Sequence, residues 1–211
     1  MRRYVEMSYR KSSLCIAISS GECSPPLRIN EVTFVTLETK KLILRPYTSD
    51  DINNYHKLMS NPHIWEYSTT STHENIEQSK QKLEQLITGY ENDQLGFNAL
   101  IDKTSNTFIG EAGILSFNKN VDRCVIGYNL LPSFWNKGYA TEISKALIKH
   151  AFDKLHAERV EALVMKSNIA SCKVLEKSGM MQEGILRNFT KINRNYHDVC
   201  YYGIILEDYK A

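Results

Sequence analysis

The spacing of hydrophobic and polar residues changes along the chain, and the changes delimit the predicted elements. The first 36 residues have no sustained period and contain the cluster SGECSPPL, whose glycine and prolines break regular structure. From residue 37 onward, regular apolar spacing continues almost to the end. We expect an N-terminal extension over residues 1–36, either flexible or the product of an upstream start codon. A single folded domain is expected over residues 37–211.

The first part of this domain shows one strand pattern followed by two helical patterns. The stretch LILR alternates its apolar side chains between two faces, as a short strand does. Next comes an amphipathic segment that Thr48 or its neighbour caps and Pro62 stops. A second amphipathic segment is predicted to begin with a capping box formed by Ser71 and Glu74 and to end at Gly89.

The second part alternates strands and helices. FNALID and TFIGEAGIL read as two strands joined by a polar turn, and CVIGYNLL reads as a strand buried on both faces. A helix from about Thr141 to Leu155, the strand RVEALVM and a short helix ending at Gly179 follow. EGILRNF and DVCYYGIIL then form an antiparallel pair. This order predicts an α+β (mixed α/β) domain rather than a doubly wound sheet.

Composition and charge exclude several classes of function. The 211 residues are 42% hydrophobic and 24% charged, and 26 basic against 24 acidic side chains leave a net charge of +2. These values are typical of a soluble globular protein and give no basic patch for nucleic acid. No apolar run is long enough to cross a membrane, and the short N-terminal one is too short for a signal peptide.

Cysteine and histidine usage indicates a reducing, cytoplasmic setting without a metal site. The number of cysteines is odd and no CxxC pair occurs, so neither a disulfide framework nor a zinc site is predicted. The six histidines show no metal-ligand spacing. The cysteines are Cys15, Cys23, Cys124, Cys172 and Cys200, and those at 124 and 172 are expected to be buried and inert.

The stretch FWNKGYATE lies where a predicted strand runs into a helix. The first N–H groups of a helix have no internal partner, so they bind anions readily. Gly138 would let a phosphate approach the backbone closely, Lys137 could add a positive charge and Thr141 a hydroxyl. The alternative is an ordinary loop glycine, because neither a Walker loop nor a GxGxxG motif is present.

Three blocks at linked separations carry a resemblance to a known family. GYNLLPSFWNKGYATE, RVEALVMKSNIASCKVLEKSGM and MQEGILR together resemble the GNAT superfamily of acetyl-CoA-dependent N-acetyltransferases. The branch that looks most similar is the RimJ/RimL type, which acetylates the N-termini of ribosomal proteins. The resemblance covers about residues 38–206. It implies a single, strongly twisted mixed sheet flanked by helices, with acetyl-CoA as co-substrate.

The resemblance also implies which residues hold the coenzyme. The backbone of Asn129, Leu130 and Leu131 would lie along the pantetheine arm, and Asn168 would contact the coenzyme. Ser171 occupies the place of a serine near the thioester sulfur. The pyrophosphate loop and the following turn correspond to Trp135, Asn136, Lys137, Gly138, Tyr139, Ala140 and Thr141.

Three departures from the family pattern put the acid and base in doubt. Leu175 stands where many members have a tyrosine general acid. Val125 and Leu163 stand at two positions where members carry a glutamate. No standard carboxylate base or tyrosine acid therefore lies in its usual place.

Two residues remain as catalytic candidates, each with a structural alternative. Glu111, in the apolar strand FIGEAGIL, could act as a base with a raised pKa, directly or through a water, or could simply face solvent. Ser171 could protonate the leaving thiolate or could cap its helix. Glu161 is read as a sheet-edge or structural carboxylate. Tyr128 and Trp135 are read as packing residues.

The predicted function is transfer of an acetyl group to a primary amine. Near pH 7.5 an α-amine of pKa about 7.8 is roughly a third neutral, whereas a lysine amine of pKa about 10.4 is only about 0.1% neutral. A site without a standard base therefore favours a protein or peptide N-terminus. Acetylation of a small amine such as an antibiotic or polyamine, and non-catalytic binding of acyl-CoA, remain alternatives. A homodimer is compatible with the sequence.

Overall fold

The computed structural model describes residues 36–92 and 94–210. The expected extension over residues 1–36 lies almost wholly outside the described residues. Eight strands are present in the described part: β1 (Leu37–Glu38), β2 (Leu42–Arg45), β3 (Asn98–Asp102), β4 (Thr107–Asn118), β5 (Arg123–Leu130), β6 (Arg159–Met165), β7 (Met181–Ile192) and β8 (Asn195–Ile205).

Six α-helices accompany these strands in the described part of the chain. None of the helices in the described ranges is both long and apolar enough to pass through a membrane. The helices are α1 (Ile52–Met59), α2 (Pro62–Trp65), α3 (Ile76–Glu91), α4 (Tyr139–Asp153), α5 (Ile169–Lys177) and α6 (Leu206–Lys210).

All eight strands belong to one sheet, in the order β1-β2-β3-β4-β5-β6-β8-β7. Neighbouring strands are antiparallel except β5 and β6, which run parallel. The parallel contact is short, since only the pairs Arg123↔Arg159, Cys124↔Val160 and Val125↔Glu161 are in register. The predicted mixed sheet flanked by helices is therefore confirmed.

A separate hydrophobic core covers each face of the sheet. On one face, Ile143, Leu147 and Ala151 of α4 pack with Cys124 and other residues of the sheet. We call this face the α4–α5 face. On the other face, side chains from α1, α2 and α3 cover β3 and its neighbours, and we call it the α1–α3 face. The sheet therefore lies between α4 on one side and α1–α3 on the other.

Several predicted details differ in the structure. The capping box at Ser71 and Glu74 is wrong: α3 begins after Asn75, whose side chain accepts a hydrogen bond from the Gln78 N–H at 3.0 Å. The helix continues past Gly89 to Glu91. The next long helix spans Tyr139–Asp153, two residues earlier than predicted at each end. Strand β5 is fully buried only at alternate positions, because no helix covers its other face throughout.

Candidate active site

Strands β5 and β6 separate beyond their short contact. Their last pair in register is Val125 with Glu161. From there β5 continues to Leu130 along β4, whereas β6 continues to Met165 along β8. The two strands thus diverge within the sheet and open a cleft, which we call the splay. An extended molecule could enter it and lie against the open edge of β5.

The strand-to-helix loop stands at the end of β5, beside the splay. Gly138 is the N-cap of α4 and has a φ of +82°, which L-residues rarely adopt. A Cβ at this position would meet no atom within 4 Å. The backbone conformation alone therefore explains the glycine, and the open space above it leaves room for an anion at the helix N-terminus.

Several groups in this loop are already engaged within the chain. The Trp135 indole N–H donates to the Leu130 carbonyl at 2.7 Å, and the Leu131 N–H donates to the Ile109 carbonyl at 2.9 Å. The Tyr139 hydroxyl donates to Asp102, which raises the pKa of that tyrosine. The Leu130 carbonyl, the Leu131 N–H and the Tyr139 hydroxyl therefore already have partners within the chain. The resemblance assigns the backbone of Leu130 and Leu131 to the pantetheine arm.

The remaining loop residues are more open. Asn136 also has a positive φ, +59°, so the backbone turns sharply twice before α4. Lys137 is exposed and its Nζ lies 5.2 Å from the centre of the Phe134 ring. Ala140 and Thr141 form the half-buried first turn of α4. The positive charge of Lys137 and the helix N-terminus thus occupy the same loop.

Asn168 and Ser171 lie at the start of α5, across the splay from β5. The side chain of Asn168 is the N-cap and accepts a hydrogen bond from the Ser171 N–H at 3.1 Å. The alternative in which Ser171 caps this helix is therefore wrong. Leu175 is buried in the core at 2% exposure, so an aliphatic side chain fills the position of the family's tyrosine. Cys172 is buried as a free thiol, as expected.

Glu111 is buried, and the interpretation that it faces solvent is wrong. It is 2% exposed on β4, opposite Asn129 of β5. The Asn129 amide donates to it at 2.8 Å and the Tyr47 hydroxyl at 3.1 Å. Burial raises the pKa of Glu111 to about 7, although both hydrogen bonds favour the ionised form. A carboxyl that titrates near neutrality is suited to accept a proton at physiological pH.

This pKa makes the effect of Glu111→Gln on stability depend on pH. The unfolded carboxyl loses its proton near pH 4.5 and the folded one near pH 7, so the free energy of unfolding falls as pH rises through that window. Glutamine does not titrate. We expect the variant to melt roughly 5–10 °C above the wild type at pH 8, from a penalty of about 3 kcal/mol. Thermal denaturation at pH 4 should show no such difference, and an offset independent of pH would contradict the raised pKa.

Glu161 has a structural environment. It is 3% exposed on β6, an interior strand, so the sheet-edge interpretation is wrong. Its carboxylate lies 2.6 Å from the Arg159 Nε and 3.4 Å from the Arg123 Nε. Two guanidinium groups thus compensate this buried charge, as a structural carboxylate requires.

The structure brings most of the predicted residues to one region and adds two. The loop, Asn168 and Ser171 surround the splay, and Glu111 lies behind Asn129 on the α1–α3 face. Tyr47 and Tyr128 were not predicted as site residues, because nothing local in the sequence distinguishes them from packing tyrosines. Among residues 36–92 and 94–210, no group of three or more potential ligand side chains could hold a metal ion.

Known proteins share this architecture. The family described as Acetyltransferase (GNAT) domain matches residues 41–181. The N-acetyltransferase YoaA of Bacillus subtilis is 30% identical over 173 residues, which is 82% of this chain and 97% of that protein.

Solved structures show the same fold. The ribosomal-protein-S5-alanine acetyltransferase of Vibrio fischeri superposes with a TM-score of 0.72 at 23% identity, covering 84% of this chain and 100% of the other. The spermidine N-acetyltransferase of Vibrio cholerae, in complex with CoA and spermine, gives 0.72 at 20% identity, covering 82% and 100%. With its family match, its YoaA relative and this fold, the chain belongs to the GNAT acetyltransferase family.

Proposed function

We propose that the protein transfers the acetyl group of acetyl-CoA to a primary amine, in a complex that holds both substrates. The observation that carries this proposal is the splay, which opens beside the N-terminus of α4. The loop with Gly138 and Lys137 suits a pyrophosphate, and the open edge of β5 suits an extended, amide-bearing arm. Holding the amine and the thioester in contact accounts for much of the rate enhancement of such a transfer.

Within this proposal, Glu111 receives the proton that the amine loses. The Glu111 carboxyl is buried away from bulk water. Its hydrogen bond from the Asn129 side-chain amide connects it to β5, whose edge is open at the splay. A water or the acceptor itself would complete the path. In its ionised form Glu111 can only accept hydrogen bonds, so it faces the NH₂ group of Asn129 and fixes the orientation of that side chain.

We propose an N-terminal α-amine as the acceptor. Glu111 has a pKa of about 7, which is close to the pKa of about 7.8 of an α-ammonium group, so proton transfer from that group to Glu111 costs little free energy. A lysine ammonium has a pKa of about 10.4, more than 3 pKa units above that of Glu111, so the same transfer is strongly unfavourable. The neighbour that acts on a ribosomal protein agrees with this choice, whereas the neighbour that acts on spermidine supports a polyamine. The pKa match favours the first.

Release of free CoA from acetyl-CoA, measured with a panel of amines, tests the proposal. The panel contains a peptide with a free N-terminus, the same peptide with a blocked N-terminus and a free lysine, spermidine and an aminoglycoside. We expect turnover with the first peptide at least about tenfold above the blocked peptide and spermidine, in line with the pKa difference between an α-amine and an alkylamine. Preference for the aminoglycoside would contradict the choice of an N-terminal acceptor. Preference for spermidine would establish a polyamine acetyltransferase. Binding of acetyl-CoA without turnover on any amine would contradict catalysis.

A further inference from the structure

The hydroxyl of Tyr128 is buried and has no hydrogen-bond partner among the described residues. An unpaired buried hydroxyl costs about 1–3 kcal/mol, so a tyrosine is retained here at a loss of stability. Phenylalanine would fill the same space without that loss. The hydroxyl therefore has room for a partner that residues 36–92 and 94–210 do not supply.

The position of Tyr128 identifies where that partner would lie. The residue is on β5, three positions past the last pair with β6, and so within the splay. By strand alternation it shares the α4–α5 face with the buried Ile126 and Leu130. Ser171, on α5 across the cleft, is near enough to lower the pKa of Tyr128, but it forms no hydrogen bond with the Tyr128 hydroxyl. The hydroxyl thus reaches across the splay.

The opposite face carries different chemistry. Glu111 and Asn129, which form a cross-strand pair, lie on the α1–α3 face. A thioester held in the splay would have these groups on one side of the sheet and Tyr128 and Ser171 on the other. The attacking amine and the leaving sulfur depart from the carbonyl carbon in different directions, so each can meet its own set of groups.

Building on the proposed function, we propose that the Tyr128 hydroxyl donates a hydrogen bond to the sulfur of the thioester and stabilises the charge that develops there. In the transfer, the lone pair of the amine nitrogen forms the new C–N bond. The C–S bond breaks and its electron pair leaves with the sulfur. The proton released by nitrogen goes to Glu111 or to solvent, and the thiolate takes a proton from solvent.

Tyr128 is suited to this role by its acidity and its surroundings. A phenol is more acidic than an aliphatic hydroxyl such as that of Ser171, even where burial raises its pKa, so it is the stronger hydrogen-bond donor. Burial raises the pKa of Tyr128 to about 12, so it keeps its proton while the sulfur leaves. Leu175 offers no donor, so the hydroxyls of Tyr128 on β5 and Ser171 on α5 remain as candidates for the sulfur, and the phenol is the stronger donor of the two.

Titration of the thiol of bound CoA tests the proposal without turnover. Thiolate absorbs in the ultraviolet, so its ionisation can be followed as pH rises on the complex of the full chain with CoA. We expect Tyr128→Phe to lower the acid ionisation constant of the bound thiol about tenfold, because a hydrogen bond to a charged group is lost. Acetyl transfer should fall by a similar factor, while melting temperature should not decrease.

Two further variants separate this role from a structural one. Tyr202→Phe removes another buried tyrosine hydroxyl, which donates to Glu176 at 3.1 Å, and should lower the melting temperature without changing the thiol. Ser171→Ala tests the competing hydroxyl: it should lower the thiol ionisation constant by less than Tyr128→Phe does, and a larger effect than that of Tyr128→Phe would assign the sulfur to Ser171 instead. An unchanged constant in Tyr128→Phe, with CoA still bound, would overturn the role of Tyr128. Failure of the wild type to bind CoA would overturn the proposed function and this inference with it.

Discussion

Glu111→Gln is expected to lower kcat/KM for an amine acceptor about 100-fold at pH 8, because general base catalysis typically contributes 10²–10⁴-fold. Glutamine preserves the size of the side chain and can still bond to Tyr47 and Asn129. It cannot take up a proton. The loss would therefore report the proton transfer itself rather than a collapse of the site.

The pH dependence of kcat/KM, compared between the wild type and Glu111→Gln, is the sharper test. In the wild type, activity requires both an ionised Glu111, with a pKa of about 7, and a neutral amine. Below both pKa values, kcat/KM should then fall about 100-fold per pH unit, and only about tenfold per unit in Glu111→Gln. The limb due to Glu111 should stay near pH 7 when the acceptor's pKa is changed. Identical limbs in the two enzymes would show that Glu111 is not the base.

Gly138→Val is expected to weaken acetyl-CoA binding about 30- to 100-fold, equivalent to roughly 2–3 kcal/mol. A steric clash of the Cβ is not the reason, since a Cβ would meet no atom within 4 Å. The difficulty is the φ of +82°, which a β-branched residue adopts only with strain. The loop would relax to another conformation and move the N–H groups of α4 away from the pyrophosphate.

A matched glycine in β7 controls for the added side chain. A Cβ on Gly184 would likewise meet no atom within 4 Å, but this residue is not in the left-handed region. Gly184→Val should bind acetyl-CoA as the wild type does, measured by isothermal titration. If Gly138→Val also kept its affinity, the glycine would serve the turn alone. The interpretation as an ordinary loop residue would then be correct.

The order of elements could be predicted because each one carries its own local signal. The apolar alternation of β2 and the helical stripe of α4 are examples, and both elements formed within two residues of their predicted bounds. The start of α3 could not be predicted in this way. Ser71 and Glu74 match a capping box, but the His73 N–H bonds to the Met59 carbonyl of α1 and holds that segment outside the helix.

The site was predictable where a motif is contiguous and unpredictable where it depends on distant parts of the chain. Gly138 was identified from the strand-to-helix junction. The burial of Glu111 depends on Tyr47, which is 64 residues away in sequence, and on helices packed over the sheet. Strand β4 is apolar on both sides of Glu111, so its sequence does not indicate whether this carboxyl is buried or what lies beside it. The unpaired hydroxyl of Tyr128 likewise follows from where β5 leaves β6.

The short contact between β5 and β6 also bears on how the protein holds together. Within the described residues, three residue pairs link β5 to β6, and the N–H groups of Glu158 and Arg159 also donate to the Asp122 carbonyl at the start of this contact. Cohesion between the two halves of the sheet, β1–β5 and β6–β8, therefore depends on side chains of α4, such as Leu147 and Ala151, in addition to these few backbone bonds. Amide hydrogen exchange should reveal two units of unequal protection. A ligand bound in the splay would contact both halves and stabilise their association. Release of the product would remove this stabilisation, so we expect the contact between the halves to open more often in the free protein.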